Sequence, residues 1–186
     1  MEVTRPMSVL KVYNENDPTQ AEIYTQLEEI TERMGEIGVH FQRWEARKPL
    51  ATDSSQDETL AAYRDPVDYL CRQYGFKSVD IISVKSDHPE KKALREKFLS
   101  EHTHSDFEAR FFVEGQGQFY LHPRGKVYAL LCEQGDFISV PAGMRHWFDM
   151  GENPDLRCIR LFTTPEGWVA DFTGNNIADN FPRLEQ

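Results

Sequence analysis

Between residues 101 and 164 the chain breaks into short aromatic and β-branched runs, and this punctuation limits what it can fold into. Runs at 111–114, 118–122, 127–132, 136–140, 145–149 and 157–162 are each closed by turn-forming residues. They are too short for helices and rich in side chains that suit a pleated, half-buried surface. The breaks fall at 115–117, 123–125, 134–135, 141–143 and 151–154, each with Gly, Pro or both. Many short strands at this spacing predict an antiparallel sandwich or barrel.

The first hundred residues read differently. Residues 7–13 and 79–84 are apolar and strand-like, and 39–46 alternate with a period of two. Residues 17–34 read as a helix. Asn16 or Asp17 would cap it, Pro18 would occupy its first position, and Ile23, Leu27, Ile30 and Met34 would share one face. Gly35 and Gly38 would stop it. Residues 53–56 read as a polar loop. Residues 59–74 are helical in character, with a break near Asp65-Pro66 and Val67, Leu70, Cys71 and Tyr74 on one face. Residues 88–98 read as a short helix opened by Pro89 and Glu90. No internal repeat, low-complexity segment or linker is visible. The 186 residues fit one domain: a mixed helix and strand layer over 1–100, barrel strands over 101–164 and a tail over 165–186.

Composition narrows the partners. The chain carries 31 acidic against 21 basic side chains, a net charge of −10. Nucleic acid and anionic membranes both attract basic surfaces, so neither is the expected partner. No apolar run approaches the ~20 residues of a membrane span. Residues 1–10 hold no apolar block followed by a cleavage site. Cys71, Cys132 and Cys158 are odd in number and widely spaced. They suit neither a disulfide framework nor a CxxC site, and read as buried thiols of a cytoplasmic protein.

Histidine usage carries the chemistry. Of His40, His88, His102, His104, His122 and His146, two form His102-Thr103-His104, with Glu108 close behind. Residues i and i+2 of a strand face the same way, so H-x-H sets two imidazoles side by side. Imidazole with carboxylate suits iron, nickel, manganese or zinc. Further on, Gly135-x5-Pro141-x-Gly143-x2-His146 reads as strand, tight turn and a new strand opening on histidine. In a barrel this brings His146 beside the H-x-H strand, and a metal site is expected there. His122 precedes Pro-Arg-Gly-Lys and is expected to be exposed on a hairpin turn. His40 and His88 carry no expected role, and Lys91, Lys92, Arg95 and Lys97 read as a solvated helix face.

The two histidine stretches resemble the paired motifs of the cupin superfamily, G-x5-H-x-H-x3,4-E-x6-G and G-x5-P-x-G-x2-H-x3-N. Glu96 stands at the first Gly and Met150 at the final Asn. A closer likeness lies in HTHSDFEARFFVEGQGQFYLH, ISVPAGMRHWFDMG and PEGWVADFTGNNIA…FPRLE. These resemble the bacterial acireductone dioxygenases of methionine salvage, strongly from about Asp80 onward and loosely before. The resemblance implies a mainly β, cupin-type double-stranded β-helix, a jelly-roll barrel with helices packed outside. It implies His102, His104, Glu108 and His146 as ligands of one Fe2+ or Ni2+ ion per chain. Four protein ligands would leave two positions on an octahedral ion. The implied substrates are O2 and the acireductone 1,2-dihydroxy-3-keto-5-methylthiopentene, which ionises to an enediolate and can chelate through adjacent oxygens. Iron would give formate and 4-methylthio-2-oxobutanoate. Nickel would give formate, carbon monoxide and 3-methylthiopropanoate.

Arg110 lies two residues past Glu108, on the same face of a regular strand. It matches a family position and reads as a clamp on a substrate oxygen, against the alternative of a structural partner for Glu114 or another acid. Phe98, Phe148 and Trp168 match aromatic positions near the family's pocket. They would exclude water and pack the methylthio tail, or else serve as plain core. Trp168 also has an indole N–H with which to orient a ligand. Two other functions compete: a cupin enzyme that degrades oxalate or isomerises a sugar, and a cupin without catalysis. The chain is long enough to fold alone, and a monomer is expected.

Overall fold

The computed structural model of the chain describes residues 7–44, 50–51 and 53–185. Eleven strands occur among them: β1 (Val9–Asn14), β2 (Asp17–Tyr24), β3 (His40–Arg43), β4 (Ser78–Val84), β5 (His102–Thr103), β6 (Glu108–Leu121), β7 (Lys126–Glu133), β8 (Asp136–Val140), β9 (His146–Asp149), β10 (Leu156–Phe162) and β11 (Asp171–Phe172). The helices are α1 (Leu27–Glu36), α2 (Gln56–Ala62), α3 (Arg64–Tyr74) and α4 (Lys91–Leu99), with a 3₁₀ turn at Ile177–Asn180. No helix among the described residues is long and apolar enough to cross a membrane.

All the strand pairs are antiparallel, and the strands form the two faces of a jelly-roll barrel. One face runs β11-β5-β9-β6-β7-β1-β2, and β4, β10, β6, β8 and β3 make the other. β6 belongs to both. Its residues 108–115 pair with β8 and β10, and residues 116–121 pair with β7 and β9. The expected turn at 115–117 is therefore a bend inside one continuous strand. Gly115 makes the bend at φ 71°, and a Cβ there would lie 1.5 Å from the Asp155 carbonyl oxygen. Only glycine allows that approach.

The largest correction concerns residues 17–24, which form β2 rather than the first half of a helix. Asn14 accepts from Asn16 N–H at 2.9 Å, and Asp17 accepts from Thr19 N–H at 3.0 Å. Such side-chain turns close a hairpin and compete with helix capping. β1 offers β2 a register from Leu10↔Tyr24 to Asn14↔Asp17. Ile23, the first residue of the supposed helical face, is 61% exposed. The helix starts at Leu27 and buries Ile30 and Met34.

The second helical stretch starts earlier than expected. Ser55 and Glu58 form a reciprocal capping box, each side chain bonding the other's backbone N–H. The polar residues before α2 are thus its cap. The break falls at Tyr63, and Pro66 sits in the first turn of α3, where its missing N–H costs nothing. On α3, Val67 and Leu70 are buried, Cys71 is half-buried and Tyr74 is exposed. The expected strand 39–46 is observed as His40–Arg43, and residues 45–46 lie outside the described residues.

Three apolar clusters hold these layers together. Phe112, Phe119, Leu130, Ile138 and Phe148 fill the barrel interior with Cys132 and Cys158. Both thiols are unpaired, and burial pushes Cys158 up to about 12. Val67 and Leu70 pack α3 against Phe111, Val113 and Ile159 on one outer face. Tyr13, Tyr120, Trp147 and Phe181 bind the C-terminal segment to the other.

Candidate metal centre

β5, β9 and the start of β6 bring the histidine motifs to one place. His102 pairs directly with His146, which also pairs with Leu121 of β6. Glu108 opens β6 opposite Val140. His104 lies just past the end of β5, with its carbonyl accepting from Gly143 N–H at 2.9 Å. One donor atom from each of His102, His104, Glu108 and His146 lies within 4.8 Å of the others. All four are buried.

The second nitrogen of every imidazole is occupied by backbone. His102 Nδ1 lies 2.7 Å from the Ser100 carbonyl, His104 Nδ1 2.8 Å from Val169, and His146 Nδ1 2.8 Å from Met144. A carbonyl can only accept, so each Nδ1 carries hydrogen and donates. Each ring therefore directs Nε2 to the centre, the atom through which a neutral imidazole binds a metal ion. Glu108 Oε2 lies 2.9 Å from His104 Nε2 and 3.1 Å from His146 Nε2. Burial, and then the neighbouring His146, lower His102 to about 4. Burial opposes the charged form of Glu108, but Arg110, His104 and His146 hold it well below the usual carboxylate range. Burial also opposes charge on His104, and the Glu108 carboxylate raises it overall. Three imidazoles and one ionised carboxylate, buried and convergent, fit a divalent transition metal.

Arg110 donates from Nε to Glu108 Oε1 at 2.7 Å. The structural alternative thus holds in part: the acid that Arg110 pairs with is Glu108 rather than Glu114, which Lys85 holds at 2.9 Å. Its guanidinium carbon lies 4.6 Å from the Phe148 ring centre, 5.1 Å from Phe119 and 5.9 Å from Phe98. Its Nη1 is buried without a hydrogen-bond partner among the described residues. A buried, unsatisfied guanidinium nitrogen is costly unless a ligand completes it.

A cavity of about 570 Å³ opens beside these groups. Ile82, Leu94 and Phe98 make an apolar wall, and Trp168, Val169 and Phe172 line it from the C-terminal segment. Phe98 is thus part of the cavity wall. Trp168 is 53% exposed and stands at the rim. Phe148 does not line the cavity. It lies beneath Arg110 and edge-on to Phe98, with 6.3 Å between ring centres.

Other expectations need correction. His122 is buried rather than exposed on a turn, with Nδ1 2.6 Å from Glu101 and Nε2 2.8 Å from Glu15. The turn at 123–125 is real, but two carboxylates draw the ring inward. The basic face of α4 is only partly solvated. Arg95 bonds both oxygens of the buried Asp149 at 2.8 and 3.1 Å, and Lys97 lines the cavity. His88 reaches the cavity wall, while His40 is exposed. Arg160 also lines the cavity and is held by Asp80 at 2.6 and 2.8 Å. Sequence reasoning missed Ile82, Leu94, Phe119 and Arg160 because a strand or helix residue gives no sign of which layer it faces. It missed the three orienting carbonyls because the backbone has no sequence signature.

Comparison with known proteins bears on this geometry. Residues 9–170 match the ARD/ARD' family. The chain is 58% identical over 179 residues to the acireductone dioxygenase of Methylococcus capsulatus, covering 96% of each protein. It is 53% identical over 180 residues to that of Aquifex aeolicus, covering 97% of this chain and 98% of the relative. Its fold is similar to that of the acireductone dioxygenase from Bacillus anthracis solved with a cadmium ion in the active center. That match has a TM-score of 0.80 at 28% identity and covers 91% of this chain and all of the other.

Proposed function

The chain belongs to the ARD/ARD' family, and from that premise we infer that it is a metal-dependent acireductone dioxygenase of methionine salvage. The observation that carries its chemistry is the buried, unpartnered Nη1 of Arg110 beside four convergent ligand atoms. We assign His102, His104, Glu108 and His146 as the ligands of one Fe2+ or Ni2+ ion per chain. The three carbonyl-held imidazoles support this, because each directs Nε2 to the shared centre. When bound, the ion supplies Lewis acidity and a template for a substrate with adjacent oxygens.

The remaining residues divide the work. Arg110 donates from Nη1 to a substrate oxygen and favours the ionised enediolate, while its Nε keeps Glu108 charged and oriented. A guanidinium stays protonated in such a site and offers a planar fork of donors. Phe98 excludes water and, with Ile82 and Leu94, receives the methylthio tail. Trp168 covers the rim, and its indole N–H orients the ligand. Phe148 acts from below by supporting Arg110. The enediolate supplies the electrons that reduce O2. Products follow the metal: formate and 4-methylthio-2-oxobutanoate with Fe2+, or formate, carbon monoxide and 3-methylthiopropanoate with Ni2+. The protein is assigned as a cytoplasmic monomer whose acidic surface has no nucleic-acid or membrane role.

The test is aerobic incubation of Fe2+- or Ni2+-loaded protein with the acireductone. O2 uptake with release of formate is expected, with carbon monoxide from the nickel form alone. No substrate loss with either metal would sink this reading. Glu108→Ala and His146→Ala should each lose metal and activity together, and full metal content in both would overturn the ligand assignment.

A further inference from the structure

Gly117 has no part in the cupin motifs and makes no polar contact with the site. It is buried on the inward face of β6, opposite Cys132 of β7. Its φ is not positive, so its backbone would accept an alanine. What it lacks is room. A Cβ at Gly117 would lie 2.2 Å from Cζ of Phe148, 2.7 Å from Cε2 and 3.3 Å from Cε1. The tip of the Phe148 ring rests in the space where a side chain would be.

Phe148 has little freedom to retreat. It is 2% exposed, with the Phe119 ring centre 4.9 Å away and those of Phe98 and Phe112 at 6.3 and 6.4 Å. Above it lies the Arg110 guanidinium, 4.6 Å from the ring centre. Interiors are close-packed, so a ring forced off one wall presses on the opposite one. Arg110 is tied at Nε to Glu108. A ring displaced at its tip therefore presses on the guanidinium packed against it, which yields by turning about that bond and moving Nη1.

We propose that Gly117 is a positioning residue for the reaction: by leaving space for the Phe148 ring, it sets the height at which Arg110 presents its free nitrogen to the substrate. The inference rests on the reading of Arg110 given above. It explains why a position with ordinary strand geometry carries no side chain. Alanine would need the ring tip to move roughly 1.2 Å to reach ordinary contact, and a misplacement near 1 Å can cost up to about a hundredfold in rate.

The test uses Gly117→Ala, Phe148→Leu, their double variant and Arg110→Met, all in full-length metal-loaded protein. Gly117→Ala should keep full metal content and lose about tenfold or more in kcat. In the Phe148→Leu background, which removes the ring carbons that clash, adding Gly117→Ala should cost less than about threefold. Equal losses in both backgrounds would overturn the proposal, because the alanine would then act on the strand itself. So would a Gly117→Ala variant at the parental rate. If Gly117→Ala alone does not fold, the comparison of Phe148→Leu with the double variant still decides: near-equal rates support the proposal and a further tenfold loss overturns it. Arg110→Met at the parental rate would sink the assigned role of Arg110, an outcome read independently of Gly117.

Discussion

Asp149 shows how much one buried carboxylate can organise. It has no exposed surface and accepts from Arg95 Nε and Nη2 and from the backbone N–H groups of Gly151 and Leu184. It thereby joins α4, the turn after β9 and the C-terminal segment at one point. Burial alone would raise its pKa, but Arg95 and the two N–H donors hold it below the ordinary value. Its stabilising effect is therefore complete above an unfolded pKa of about 3.9. It is lost as pH falls through the lower folded value. Asp149→Asn should cost roughly 3 kcal/mol at pH 7, because it removes the buried carboxylate that bonds two nitrogens of the partly buried Arg95. Urea unfolding at a series of pH values checks this. The gap between the two proteins should be widest near neutral pH and should narrow as pH falls from about 4 toward the folded value, and a gap that does not narrow would contradict the assignment. Asp149 was not legible as important from sequence, because Arg95 and the Leu184 N–H reach it only through the fold. The convergence of His102, His104, Glu108 and His146 was legible, since histidine and glutamate at motif spacing carry their own chemistry. The fate of His122 was not, because Glu101 and Glu15 reach it only through the fold.

Among the elements, those with one clear signal were legible and those with two were not. β7, β8 and β10 lie close to their expected bounds because alternation and flanking turns agree. β2 was misread because Ile23 happens to fall four residues before Leu27, while the true evidence lay in the side chains that close the hairpin. β6 was split at Gly115 and Gly117 because glycine pairs usually mark turns. Here the first glycine bends the strand from one face of the barrel to the other, and the second leaves room for a ring. The bend makes a ranking prediction. Gly115→Ala should cost about 3 kcal/mol or more, combining left-handed strain with a clash against the Asp155 carbonyl. Gly125→Ala should cost only about 1–2 kcal/mol. It has a similar φ of 70°, but nothing lies within 4 Å of its added carbon. Chemical denaturation of both variants tests the order, and equal losses would show that the strand absorbs the clash.

The whole molecule separates what holds it together from what it does. Its three apolar clusters lie outside the ligand set. Each of the three imidazoles is bonded to a carbonyl, and Glu108 is bonded to Arg110, by contacts that run within the protein itself. Removing the metal with a chelator should therefore abolish O2 uptake while leaving the far-UV circular dichroism unchanged, and loss of that signal would mean that the ion closes the barrel. Net charge likewise describes only the outside. The chain carries −10, yet Arg110, Arg160 and Lys97 line the cavity, and among the described residues Glu108 is the single carboxylate residue that does. A divalent cation adds to that bias, so a small anion meets a field opposite to the one the composition suggests. One further property follows from β6 lying in both faces. The sheets cannot shear past one another without tearing a strand they share, so the barrel responds to load as a single stiff body. Passage into the interior then falls to what is fastened from outside: α4, tethered by Arg95 to Asp149, and the segment around Val169, tethered by one carbonyl to His104 and by Thr173 to Glu101.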